Sequence, residues 1–245
     1  MNQWERVTAG DFSKSTRKRL PICFCIDASG SMMAPTSSQK TRMQELNEAF
    51  GKFMGAMKTN EDVAASADIS IVTFGGEPEI LQPFAPIKDM IVPEIRPVQY
   101  SVTPLGEAIQ VGLKLLEVRK DAYKKRGMKY FQPWLVVFTD GEPEGPNAAE
   151  NMEIAIRQTT ELERNNKLVV FNIGIGSDVN FDILKRLSVK REKAISVDET
   201  NLDGLFNFLG ASSDSIVNNS DNTDILYGKE TVAKGEEIDI SEWTI

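Results

Sequence analysis

Two carboxylates and three hydroxyls in this chain are spaced so that a single hard metal ion could draw on all of them. Asp27, Ser29 and Ser31 follow directly on the apolar run at residues 21–26. Asp140 follows a second apolar run at residues 134–138, with Thr139 before it and Gly141 after it, and Thr103 lies between the two in a proline-flanked stretch. An all-oxygen set of this kind suits magnesium first, with manganese or calcium as alternatives, rather than zinc or copper. Magnesium accepts few protein ligands and keeps several waters, which leaves positions open. With only Asp27 and Asp140 charged, the ion's double charge is at best just balanced. An Asp or Glu side chain from a partner protein is then its natural last ligand.

Five side chains from three loops converge only if their strands lie side by side and in parallel. Residues 41–58 carry apolar side chains at helical spacing (Met43, Leu46, Phe50, Phe53, Met54, Met57), and residues 67–74 read as a strand. Gly75-Gly76-Glu77-Pro78 reads as a hairpin turn into an antiparallel edge strand at residues 80–84. Residues 86–104 are rich in proline and form a surface loop that delivers Thr103 just ahead of a helix at 105–125; Thr103-Pro104 has the character of a helix start. Beyond the strand at 134–138 come a helix near 148–165, a strand at 168–175, a short helix near 181–187, a strand near 194–197 and a last helix at 202–209. Alternating strands and helices predict an α/β fold: a Rossmann-like, doubly wound, mostly parallel sheet of six strands with one antiparallel edge strand and helices on both faces. In such a sheet ligands bind beyond the carboxyl ends of the strands, near the point where strand order reverses.

The 245 residues contain no histidine, which excludes Ser-His-Asp and Cys-His catalysis and His-ligated zinc. Cys23 and Cys25 sit two apart in one strand, on the same face, too constrained for a relaxed disulfide, and read as reduced core residues. No apolar run reaches the ~18 residues of a membrane span and the first residues show no secretory pattern, so the chain is expected in the cytoplasm and off the membrane. The net charge of −8 is uneven. Residues 1–18 form a basic leader, residues 19–210 the domain, and residues 211–245 an acidic, flexible tail that opens with a linker-like composition. From residue 213 on, eight acids face only Lys229 and Lys234. The acidic whole argues against a nucleic-acid partner.

Each singled-out residue also has a plain reading. Asp27-Ala28-Ser29-Gly30-Ser31 alone would serve as a helix cap and turn, and Gly30 and Gly141 as turn glycines. Glu142 and Glu144 read as solvated loop charges, and Met32 and Met33 as either core filler or a soft surface beside the ion. Tyr130, Phe131 and Trp134 precede their strand and belong to packing at the opposite edge.

Asp27-Ala28-Ser29-Gly30-Ser31, Thr103 and Asp140-Gly141 resemble the metal-ion-dependent adhesion site (MIDAS) of von Willebrand factor A domains, whose pattern is Asp-x-Ser-x-Ser with a distant Thr and a distant Asp. The resemblance spans roughly residues 19–210. It implies direct coordination by Ser29 and Ser31, and direct or water-mediated coordination by Thr103, Asp27 and Asp140. Within that superfamily, the segments at 19–32 and 136–143 look like the bacterial tellurium-resistance (TerY-type) branch, which implies protein kinases or phosphatases as partners in stress or defence systems. The function expected is a non-enzymatic protein-interaction module, monomeric when alone, that recruits partners through a bound cation. One alternative is a scaffold acting through its acidic tail with the site merely stabilising. A magnesium phosphohydrolase ranks lower, because such enzymes place an acid two residues after the nucleophilic Asp, where this chain has Ser29, and no P-loop motif occurs.

Overall fold

A strand that is apolar at every position but its last belongs in the middle of a sheet covered on both sides, and the first strand, with Asp27 at its end, takes that place. The structure, a computed structural model, describes residues 17–99, 102–176, 179–191, 194–198, 200 and 202–218. Its single sheet contains β1 (Leu20–Asp27), β2 (Ala67–Phe74), β3 (Glu79–Pro86), β4 (Trp134–Thr139), β5 (Val169–Ile175) and β6 (Ile195–Val197), in the spatial order β3-β2-β1-β4-β5-β6. Every neighbouring pair is parallel except β2 with β3, which are joined by the Gly75-Gly76 turn. This is the six-stranded, mostly parallel architecture expected from the alternation of elements.

The chain leaves β1 towards β2 on one side and returns as β4 on the other, so strand order reverses between β1 and β4. Phe138 stands opposite Ile26 and Phe74 opposite Asp27, so the three central strands end level with one another. That register puts Asp27 and Asp140 at adjacent strand ends, at the crevice where doubly wound sheets bind ligands.

The two faces of β1 are divided by the strand's two-residue period. Ile22, Phe24 and Ile26 pack towards α1 (Arg42–Thr59) and α6 (Leu202–Asn218), in a core that also holds Phe50, Phe53, Phe138 and Phe206. The Phe24 and Phe50 rings meet edge to face at 5.1 Å, and Phe53 stacks on Phe206 at the same separation. Cys23 and Cys25 face the other way, towards α3 (Leu105–Lys125) and α4 (Ala148–Arg164), and both are buried free thiols. Two short helices, α2 (Glu61–Ser66) and α5 (Phe181–Leu184), complete the covering layers. Among the described residues no helix is long and apolar enough to cross a membrane.

Most local elements follow the sequence reading, and the last helix departs from it. Thr103 lies just ahead of α3, where the sequence reading puts it, with Pro104 in the capping position. The last helix does not stop near residue 209 but runs to Asn218, through serines that the composition marked as linker. Ser212 and Ser213 are buried there, the Ser213 hydroxyl donates back to the Leu209 carbonyl at 2.8 Å, and Asn60 donates to Asp214 at 2.7 Å, so tertiary contacts satisfy residues that would otherwise favour turns. Of the basic leader, only Arg17, paired with Asp62, and Lys18, 4.5 Å from the Phe131 ring centroid, are described; residues 1–16 and the tail from 219 on lie outside the described residues.

At the opposite end of the sheet a buried ionic clasp fixes the strand starts. Asp68, at the beginning of β2, accepts from Arg19 just before β1 and from Arg119 and Tyr123 on α3, with Arg119 Nη2 at 2.7 Å. All four side chains are almost wholly buried. Burial, and then the Asp68 charge, push the Tyr123 phenol well above its ordinary range, so it acts as a neutral donor. Removing one member of such a buried group leaves the others uncompensated. Asp68→Ala should therefore lower unfolding stability by about 3–5 kcal/mol, measured by urea denaturation at neutral pH; a loss under about 1 kcal/mol would show that the clasp is dispensable.

Candidate metal centre

The loop after β1 closes on its own first residue. Asp27 Oδ1 accepts the Ser29 backbone N–H at 2.9 Å, an Asx turn that swings the chain sharply away from the strand. A 3-10 turn at Gly30–Met33 follows, with the Met32 and Ala34 N–H groups donating to the carbonyls of Ser29 and Ser31. This turn carries the two serine hydroxyls to the mouth of the crevice, Ser29 buried and Ser31 exposed. Met32 is driven into the core while Met33 stays at the surface, so the two methionines take one each of the roles open to them.

The hydroxyls and carboxylates then connect across the switch point. Ser29 Oγ lies 2.9 Å from Ser31 Oγ, which donates to Asp140 Oδ1 at 2.7 Å. Asp27 Oδ2 accepts from Thr139 Oγ1, the last residue of β4, at 2.6 Å. The structure thus brings Asp27, Ser29, Ser31 and Asp140 into one cluster. Thr103 is tied instead to the loop after β4, through its backbone: its carbonyl accepts the N–H of Glu144, four residues past Asp140, at 2.9 Å. Its neighbour Val102 accepts from Gly76 N at 3.2 Å, and Val98 N donates to the Ala28 carbonyl at 2.7 Å. Glu142 and Glu144 are exposed, in keeping with solvated loop charges.

Both carboxylates are fully buried, and their mutual repulsion has a visible consequence. Burial first, and the Asp140 charge second, push the Asp27 carboxyl up to about 6, against the lowering effect of its hydrogen bonds from Ser29 and Thr139. Asp140 is charge-compensated in a way that the sequence reading missed: Arg42 Nη1 donates to Asp140 Oδ2 at 3.1 Å, from a side chain that is itself largely buried. A signal existed for Arg42. It is the first residue of α1, where the helix dipole disfavours a cation, so an anion had to be waiting nearby.

A second residue passed over is Gly75. It sits in the hairpin turn, and a Cβ there would lie 2.5 Å from the Ala28 carbonyl carbon and oxygen and 2.7 Å from Ser29 N. The turn after β2 is pressed directly against the Asp27–Ser31 loop, and only the absence of a side chain allows it.

The donor set fits a hard cation. Among the described residues no three His, Cys, Asp or Glu side chains come together to hold a metal. Any ion here must therefore take much of its shell from hydroxyls and water, as magnesium, manganese and calcium accept. Residues 22–142 match the family profile of the von Willebrand factor type A domain. That segment contains Asp27, Ser29, Ser31, Thr103 and Asp140, together with Arg42 and Gly75. No curated protein matches the chain. Among solved structures, the chain is similar to proximal thread matrix protein 1 of the mussel byssus, with 16% identity and a TM-score of 0.51 over 80% of this chain and 46% of that one. A further crystal structure of the same mussel protein has a zinc-occupied MIDAS motif. The PilB minor pilin of Streptococcus sanguinis matches 89% of this chain and 65% of its own at 13% identity and a TM-score of 0.57. The BatB protein of Bacteroides thetaiotaomicron matches 81% of this chain and 98% of its own at 16% identity and a TM-score of 0.53. The chain spans about half the length of the byssus protein it matches. These likenesses show a shared α/β fold.

Two outcomes follow from the geometry. Because the folded-state carboxyl of Asp27 is raised from 3.8 to about 6, the metal-free protein carries an ionised, buried group above pH 6 at a cost of about 3 kcal/mol. Asp27→Asn should gain about 1–2 kcal/mol of that in EDTA at pH 7, measured by urea unfolding. Its advantage over the wild type should shrink as pH falls from 6 towards 4, where the wild-type carboxyl takes up its proton; a variant less stable than wild type at pH 7 would refute the account. Gly75→Ala should cost about 1–3 kcal/mol through overpacking and weaken divalent-cation binding at least tenfold by displacing Ala28 and Ser29, measured by calorimetry with magnesium.

Proposed function

We propose that this chain is a cation-dependent protein-binding module in which Asp27, Ser29, Ser31, Thr103 and Asp140 hold a divalent ion, magnesium in the first instance, whose shell is finished by an Asp or Glu side chain of a partner protein. The observation that carries this reading is the hydrogen-bonded run Ser29–Ser31–Asp140 beside Asp27 at the switch point of the sheet. A bound divalent ion supplies a Lewis-acidic point charge with open positions. The chain's own residues do the rest. Ser29 and Ser31 turn neutral lone pairs inward, Thr139 and the Ser29 N–H hold the Asp27 carboxylate in place, and Arg42 takes up part of the Asp140 charge. The site so arranged has more positive charge than its two carboxylates can balance, and an incoming acid restores neutrality.

The surroundings suit a protein partner. Of the five large apolar side chains that stand exposed among the described residues, Met33, Val98 and Val102 belong to the loops that frame the site. A carboxylate entering there would be flanked by apolar contact area, the usual pattern at the centre of an interface. We do not assign an enzymatic role, since Ser29 occupies the place where a phosphohydrolase of this topology would need a second acid. The motif resemblance to the tellurium-resistance branch supports a cytoplasmic setting and kinase or phosphatase partners.

The test is a pull-down with the full chain in magnesium, in EDTA, and with Ser31→Ala in magnesium. Partners retained in the first condition and lost in the other two are expected. Identical recovery in all three would overturn the reading and favour a scaffold acting through the acidic tail.

A further inference from the structure

Among the described residues, Arg42 is the one cation seen to reach into the cluster of candidate ligands, and the local structure is built to bring it there. The chain leaves the serine turn at Ala34, forms a closed loop with Pro35 bridged to Thr41 and Thr36 N donating to the Lys40 carbonyl at 2.7 Å, and comes back with Arg42 N on the Ala34 carbonyl at 3.0 Å. Thr41 and Gln44 then cap each other reciprocally, at 3.1 and 2.8 Å, and fix the first turn of α1. The guanidinium leaves this anchored position and donates to Asp140 Oδ2, while Ser31 donates to Oδ1 of the same carboxylate. Both oxygens of Asp140 are therefore engaged from within the chain. A cation at the start of a helix is unfavourable to the helix dipole, and a largely buried one needs its counter-charge. Asp140 is that counter-charge.

We infer that Arg42 is a built-in counter-cation that competes with the metal for Asp140, holding the metal-free site together and raising the ion concentration needed to fill it. This rests on the cation-dependent reading above and adds how the same site is regulated. With Arg42 paired, the cluster carries a net −1 from Asp27, Asp140 and Arg42, so a divalent ion entering it meets one uncompensated carboxylate and a fixed positive neighbour. Without Arg42 it would meet two. Coulomb repulsion between the guanidinium and the ion lowers affinity without removing a ligand. Arg42 is thus a positioning and affinity-setting residue that leaves the oxygen donors intact.

The experiment uses the full chain and manganese as the probe, titrated by calorimetry and by the electron paramagnetic resonance signal of free manganese. Wild type is expected to bind weakly. Arg42→Gln, which keeps an N–H donor and removes the charge, should bind manganese at least about tenfold more tightly, and its metal-free form should melt at a lower temperature than wild type. Arg42→Lys should keep an affinity within about threefold of wild type because the charge remains. A merely structural arginine would give variants that bind less tightly, the opposite sign. Should Arg42→Gln fail to fold, wild type alone decides: the Arg42 side-chain NMR resonance should move in step with occupancy on magnesium titration. Wild type with no metal binding would remove the cation-dependent reading itself; wild-type binding with unchanged or weaker binding in Arg42→Gln, or an immobile Arg42 resonance, would overturn this inference while leaving that reading standing.

Discussion

Two buried carboxylates at neighbouring strand ends are the constraint around which this protein is arranged. Asp27 and Asp140 arrive side by side because β1 and β4 are parallel, adjacent and level, and both sit where water cannot share their charge. Like charges in such a place cannot both be comfortable. Each neighbour in the cluster answers that problem: Ser29 and Thr139 donate to Asp27, and Ser31 and Arg42 to Asp140. The carboxyl of Asp27 stays raised because these donors offset burial, and then repulsion, only in part. On the proposed reading, the residual tension is what a cation would relieve.

The two ends of the sheet treat charge differently. At the strand starts, Asp68 is surrounded by Arg19, Arg119 and Tyr123, with Arg119 Cζ also 5.6 Å from the Phe84 ring centroid, and cation outnumbers anion. That end is closed, satisfied and structural. At the strand ends the anions outnumber the cation, the covering elements are loops, and apolar side chains remain exposed. A rigid base with an under-compensated rim is the division of labour expected of a binding module whose site must be held in place and yet admit a ligand.

How much of this could be read from the chain depended on the range of the interaction. The strands and long helices were legible because their signals are local: the apolar runs that became β1 and β4, the 3.6-residue spacing that placed Met43 through Met57 on one buried face of α1, and the glycine pair between β2 and β3. The extension of α6 through Ser212 and Ser213 was not legible, because it depends on the core that buries those serines and on Asn60 meeting Asp214. Thr139 stood in plain view beside Asp140, yet its task of holding Asp27 depends on two strands meeting.

The sequence by itself therefore determined the α/β alternation, the hard-oxygen character of the candidate ligands and the loops that carry them, since residue type and periodicity are properties of the chain taken a few residues at a time. Only the tertiary structure decided that Arg42 would neutralise part of Asp140, that Gly75 would have to lie bare against Ala28, and that Asp27 would be pushed towards its protonated form. The reason is physical. Repulsion, desolvation and steric contact act between atoms that share space, and 98 residues separate Arg42 from Asp140 along the chain while 3.1 Å separates them in the fold.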